Sequence, residues 1–243
     1  MARLARVVYP GCPHHLTHRG NRREDVFFCD EDRRAYLEEL ASAAGRFGLR
    51  VWGWCLMSNH VHLLVVPKRA DSLARAVGLV HARHSRRLND ARGWTGHLWA
   101  SRFYSTPLDQ AHLWTAIRYL ELNPVRAGLV RRAEAWPWSS ARAHVLGAPD
   151  PLLDPARPFA AGARDPLTGR PLAWGKWLAR GLNEEETAAL REATRTGRPC
   201  GSEAFVRELE KALARPLAPQ KRGRKPKIIQ EEKSPGLFDG ENW

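Results

Sequence analysis

The sequence has 243 residues, 43% of them hydrophobic, with 39 Lys and Arg against 26 Asp and Glu and a formal net charge of +13. The apolar fraction excludes a chain disordered throughout, and the length is enough for a buried core and more than one domain. The charge excess points to a polyanionic partner.

The excess is unevenly placed: residues 1–148 hold 22 basic and 12 acidic side chains, a net of +10, whereas residues 149–243 hold 17 and 14, a net of +3. Arginine supplies 32 of the 39 basic residues, and its planar, always-charged fork suits phosphate. No run of about 18 uncharged apolar residues occurs, and the N-terminus lacks a signal peptide's continuous apolar segment. The expectation is a cytoplasmic protein with no membrane span. Cys12, Cys29, Cys55 and Cys200 form no CxxC pair and are read as reduced, ordinary residues.

In chain order, His14 to Arg19 predicts a first strand ending at Gly20-Asn21. A helix capped by Asp30 follows through Tyr36, Leu40 and Phe47 and closes at Gly48. Val51–Cys55 and His60–Val66 predict two further strands, and Pro67 ends the second. A helix from about Ser72 to Leu88, a strand near Leu98–Ser105 and a helix from about Gln110 to Leu122 complete the domain. Strand, helix, strand, strand, helix, strand is the order of a ferredoxin-like α+β sandwich with an antiparallel sheet, here with one added helix.

Residues 1–147 are therefore read as one domain. Residues 148–181, with six prolines between Pro149 and Pro171, read as a linker or irregular arm. Residues 182–216 predict two helices, the first begun by Asn183 and the second by Ser202, forming a helical hairpin or a helix-turn-helix DNA-binding module. Residues 217–243 form a basic, flexible tail in which Lys221, Arg222 and Arg224 can touch phosphates.

The chemistry concentrates in Ser58-Asn-His60-Val-His62. Side chains alternate along a strand, so both imidazoles share one face and can hold a divalent cation while leaving positions open. On the last helix Leu113, Ile117 and Leu120 make the buried stripe, and Tyr119 and Asn123 lie together at its edge. The Tyr119 phenol can attack a phosphodiester, and the Asn123 carbonyl can complete the metal's ligand set. Pro124 pushes Asn123 away from helical geometry. Tyr104 is the rival nucleophile. Arg83, Arg86 and Arg87 at helical spacing, with Arg22 and Arg23 after the first strand, are candidates to grip a DNA backbone.

His60-Val-His62 resembles an HUH motif. Together with Arg19-Gly-Asn21, Gly96-His-Leu-Trp99, Arg102-Phe-Tyr104, Tyr119 before Asn123-Pro-Val-Arg126, and Trp138-Ser-Ser140, it is similar to the REP-associated tyrosine transposases, a branch of the single-tyrosine HUH (IS200-like) transposases. The resemblance covers about residues 5–147. It implies a ferredoxin-like catalytic domain, a divalent metal (Mg²⁺ or Mn²⁺) on His60, His62 and Asn123, and Tyr119 as nucleophile. It also implies that REP-like single-stranded DNA hairpins or insertion-sequence ends are cleaved and rejoined through a 5′-phosphotyrosine. Arg19 joins the expected DNA contacts through that motif, and the REP-associated branch implies a monomer associated with the nucleoid. The other reading is a domesticated, non-catalytic DNA-binding protein that kept the fold.

Overall fold

The structure is a computed structural model describing residues 5–159, 163–166 and 168–218. Its first part runs β1 (His14–Arg19), α1 (Asp30–Phe47), β2 (Leu49–Leu56), β3 (His60–Pro67), α2 (Ser72–Arg92) and β4 (Tyr104–Pro107). The strands form one sheet ordered β2-β3-β1-β4, with every neighbouring pair antiparallel. This is the ferredoxin-like sandwich that the element order predicts.

Period-two alternation gives the sheet two distinct faces. Leu16, Val61, Leu63, Val65 and Trp54 point into a core closed by α1 and α2 through Tyr36, Leu40, Leu73 and Val77. Thr17 lies opposite His62, and Arg19 opposite His60, so His15, Thr17, Arg19, His60, His62 and Leu64 line the other face. That face is covered by α3 (Gln110–Glu121), which buries Leu113, Ile117 and Leu120 against Leu64 and Cys55. A Cβ on Gly53 would stand 2.4 Å from Ile117 Cδ1, so this glycine lets helix and sheet approach closely.

Some boundaries differ from expectation. The fourth strand starts at Tyr104 and not at Leu98, because Ser101 adopts a left-handed φ of 52°. Cys29, not Asp30, stands at the start of α1, where the Asp32 carboxylate accepts from the Phe28 and Cys29 amides. α3 ends at Glu121, and a short α4 (Asn123–Arg126) resumes after Leu122 with Pro124 in its first turn, where a missing N–H costs nothing.

The larger correction concerns residues 148–181. This stretch is no spacer: Leu153 bridges to Val51, and Phe159, Trp174, Trp177 and Leu178 join the core beneath α3. Phe159 among the prolines and Trp174 and Trp177 after them anchor it. After α5 (Ala141–Leu146) and α6 (Trp174–Ala179) come α7 (Glu184–Thr196) and α8 (Glu203–Leu213), capped by Asn183 and Ser202 as expected. α7 buries Leu190 and Ala193 in the same core as α3, so it is not part of a freestanding module. Among the described residues no helix is long and apolar enough to cross a membrane, and all four cysteines are free.

The β1–α1 loop is stitched to the start of β3: Gly20 donates to the Asn59 carbonyl, and the Val26 and Phe27 amides both donate to that of Ser58. A Cβ on Gly20 would meet the Glu24 carbonyl oxygen at 2.1 Å. Gly20→Ala is therefore expected to destabilise the fold by about 1–3 kcal/mol, as overpacking does, read from the urea midpoint. An unchanged midpoint would mean that the loop yields freely.

Candidate active site

His60 and His62 stand on one face of β3 with ring centroids 5.0 Å apart, and Tyr119 projects from α3 onto them, its ring 5.7 Å from that of His62. Asn123, one turn later and buried, sits beside the His60 ring, whose charged form it favours. The helix therefore reaches the histidines in spite of Pro124.

Both imidazoles are held from behind. Asn59 Oδ1 lies 2.6 Å from His60 Nδ1, and His15 Nε2 lies 3.0 Å from His62 Nδ1. With Nδ1 engaged in each ring, Nε2 is the nitrogen available as a ligand, as in metal-binding histidines whose far nitrogen is hydrogen-bonded. Burial holds both rings neutral: His60 is lowered to about 4 and His62 well below its ordinary value, with the charge of Arg19 adding to each. Neutral imidazole is the metal-binding form. Among the described residues no set of three or more His, Cys, Asp or Glu could hold a metal; a cation on this pair would need an amide such as Asn123 as third protein ligand. A set of two imidazoles and an amide fits a borderline divalent cation, Mn²⁺ better than Mg²⁺.

Arginines surround the phenol. The Arg126 guanidinium lies 4.5 Å from the Tyr119 ring centroid, and that of Arg191 from α7 lies 5.8 Å away. Both border a cavity of about 760 Å³ between α4, α6 and α7, whose wall adds Arg131, Arg132 and Lys176 and includes two glutamates. Arg19 lies beside His60 on the sheet.

The remaining predicted residues fall elsewhere. Arg83, Arg86 and Arg87 lie on α2, behind the opposite face of the sheet, and do not reach the histidines; Arg83 pairs with Glu39 at 2.7 Å and Arg87 with Asp32 at 3.2 Å. Helical spacing groups such side chains without telling which side of a sheet the helix covers. Arg22 and Arg23 are exposed in the β1–α1 loop, both at positive φ, with the Asn59 amide donating to the Arg23 carbonyl. Tyr104 sits on β4 opposite Thr17, sharing the histidine face at the sheet edge. Lys221, Arg222 and Arg224 lie outside the described residues.

Sequence reasoning missed His15, Arg126, Arg191 and Thr194. The same alternation that pairs His60 with His62 puts His15 on their face once the β1–β3 register is known. No local signal marks Arg191 or Thr194, which arrive by long-range packing of α7.

Residues 8–123 match the family model described as "Transposase IS200 like", a segment that contains both histidines, Tyr119 and Asn123. Among solved structures the chain is similar to a REP-associated tyrosine transposase bound to a REP hairpin, at 17% identity and a TM-score of 0.50, over 63% of this chain and 92% of that one. A protein from Deinococcus radiodurans classed as a transposase aligns at 22% identity and a TM-score of 0.35, over 50% of this chain and 96% of its own. No curated protein matches the sequence. Residues 8–123, which carry the histidine pair and the tyrosine facing it, are thus the segment of the chain that is similar to the IS200-like transposase family.

Proposed function

We propose that the protein cleaves and rejoins single-stranded DNA at REP-like hairpins or insertion-sequence ends, with Tyr119 as nucleophile. The observation that carries this reading is the placement of one phenol against His62 in a pair of buried, neutral histidines. His60, His62 and Asn123 would hold a divalent cation, which supplies Lewis-acid polarisation of the phosphate when bound. Tyr119 Oη forms a bond to phosphorus while the bond from phosphorus to the 3′-oxygen breaks. The phenol proton leaves to water, the 3′-oxygen takes one up from water, and a 5′-phosphotyrosine results. Phosphorus stays a diester, so the freed 3′-hydroxyl can reverse the step without an added energy source. The arginine-lined cavity beside Tyr119 gives the flanking phosphates a basic path, and the Arg19 side adds a second.

A labelled REP-like hairpin incubated with the full chain and Mn²⁺ is expected to give a covalent adduct that survives denaturing electrophoresis. Tyr119→Phe should abolish it and Tyr104→Phe should retain it. His60→Ala and His62→Ala should also lose it. Hairpin binding without an adduct under either metal would support the non-catalytic reading instead.

A further inference from the structure

Helix α7 lies outside the segment that matches the transposase family, yet it touches the site at two points three residues apart. Residues i and i+3 share a helix face, and here that face is turned toward α3 and β1. The Arg191 guanidinium lies 5.8 Å from the Tyr119 ring centroid, and the neighbouring phenol raises the arginine's pKa. Thr194 Oγ1 lies 3.1 Å from His15 Nδ1, and His15 Nε2 lies 3.0 Å from His62 Nδ1. His15, His62 and Thr194 are buried, whereas the Arg191 side chain is 44% exposed and can be reached by a phosphate. Thr187, Leu190 and Ala193 fix the helix against the core, so both contacts are held by packing.

We propose that α7 is a second catalytic helix, in which Arg191 is a catalytic residue at the nucleophile's oxygen and Thr194, acting through His15, is a positioning residue for His62. The inference rests on Tyr119 being the nucleophile. A guanidinium has no acceptor site and keeps its proton, so Arg191 is not the base that takes the phenol proton. It aims Oη before attack and places a fixed positive charge where the pentavalent phosphorus gathers negative charge. When the bond to the 3′-oxygen has broken, the same fork can clamp the phosphotyrosine oxygens bidentately. Glu184 Oε1, 3.1 Å from the Arg191 guanidinium, holds the side chain in place until a phosphate competes for it.

The second contact has one self-consistent direction. If His62 presents Nε2 to a cation, its Nδ1–H donates to His15 Nε2, and His15 Nδ1–H then donates to Thr194 Oγ1. That relay fixes the tautomer and the ring orientation of His62 from a residue 132 positions later in the chain.

Two measurements on the full chain test the proposal. In single-turnover cleavage with Mn²⁺ and a REP-like hairpin, Arg191→Gln should slow adduct formation by about 10²–10³-fold while hairpin affinity changes far less, and Arg191→Lys should recover part of the rate. By electron paramagnetic resonance with Mn²⁺ alone, His15→Leu and Thr194→Val should weaken binding by about 10–100-fold, and His15→Gln and Thr194→Ser, which keep the hydrogen bonds, should restore it. Thermal midpoints within a few degrees of wild type show that each variant folds, and a variant that melts is replaced in the comparison by its conservative partner. Wild-type adduct rates in Arg191→Gln, or unchanged Mn²⁺ affinity in Thr194→Val, overturn the corresponding half. If wild type forms no adduct at all, the reading of Tyr119 fails and takes the Arg191 half with it, whereas Mn²⁺ affinity still decides the His15–Thr194 half.

Discussion

Replacing Glu121 with alanine is expected to destabilise the protein by about 3–5 kcal/mol, the range for removing one partner from a buried charged network. Glu121 ends α3 and is fully buried. Its carboxylate accepts from Ser140 Oγ at 2.8 Å, His144 Nδ1 at 2.6 Å and Trp174 Nε1 at 2.7 Å. Arg157 donates to His144 Nε2 at 3.0 Å, so Nδ1 carries the proton that Glu121 accepts. Three donors from α5, α6 and the turn before α5 thus converge on one side chain of the tyrosine helix. Alanine leaves all three without an acceptor in a site closed to water, and each such loss costs about 1–3 kcal/mol. Glutamine keeps one acceptor oxygen and should fall between the two. Urea unfolding measures the difference; a loss below about 1 kcal/mol would mean that the network relaxes or takes up water.

Acid should weaken the fold well before its carboxylates take up protons. His14, His81 and His84 are buried away from the histidine pair, each with a hydrogen-bond partner at both ring nitrogens. The Tyr9 amide donates to His14 Nε2, and Arg87 donates to His84 Nδ1, so a second ring proton on either residue would face a donor. Burial lowers His14 and His84 to about 4 and His81 well below its ordinary value. Between about pH 6.5 and 4 the unfolded chain binds these protons and the folded chain does not, so stability rises with pH there. The contribution is complete above pH 6.5 and is lost as pH falls toward 4. From pH 7 to 5.5 each histidine forfeits about 1.2 kcal/mol, or about 4 kcal/mol for the three, against a total stability typically of about 5–15. Circular dichroism at 222 nm during urea titration should give a markedly lower midpoint at pH 5.5 than at pH 7.5. Equal midpoints would mean that the three rings protonate without leaving their sites.

What could be read from the sequence was what depends on short-range periodicity. Alternation along β3 places His60 beside His62, and the helical stripe of Leu113, Ile117 and Leu120 places Tyr119 at the edge of the buried face. The element order gave the sheet topology because right-handed crossovers leave few alternatives. Long-range packing could not be read. His15 and Thr194 are 179 residues apart and meet only because α7 lies across β1 and α3. The α2 arginines form a real cluster, but α2 covers the wrong face of the sheet for the histidines. Prolines in residues 148–181 break periodicity as a linker would, yet Phe159, Trp174 and Trp177 carry enough apolar surface to bind that stretch to the core.

Those aromatics also bind the tyrosine helix to its own C-terminal half. Trp114 on α3 packs against Phe159 at 5.0 Å and Trp177 at 5.6 Å, while the Arg118 guanidinium lies 4.0 Å from the Trp177 ring centroid and donates to the Gly181 carbonyl. Thr115 adds a hydrogen bond to Glu186 on α7. Lending α3 to a second copy would mean stripping it out of its own C-terminal half and leaving that half without a floor. If Tyr119 is the nucleophile, it would then act with the histidines of its own chain, and the cleavage rate per molecule would not change on dilution.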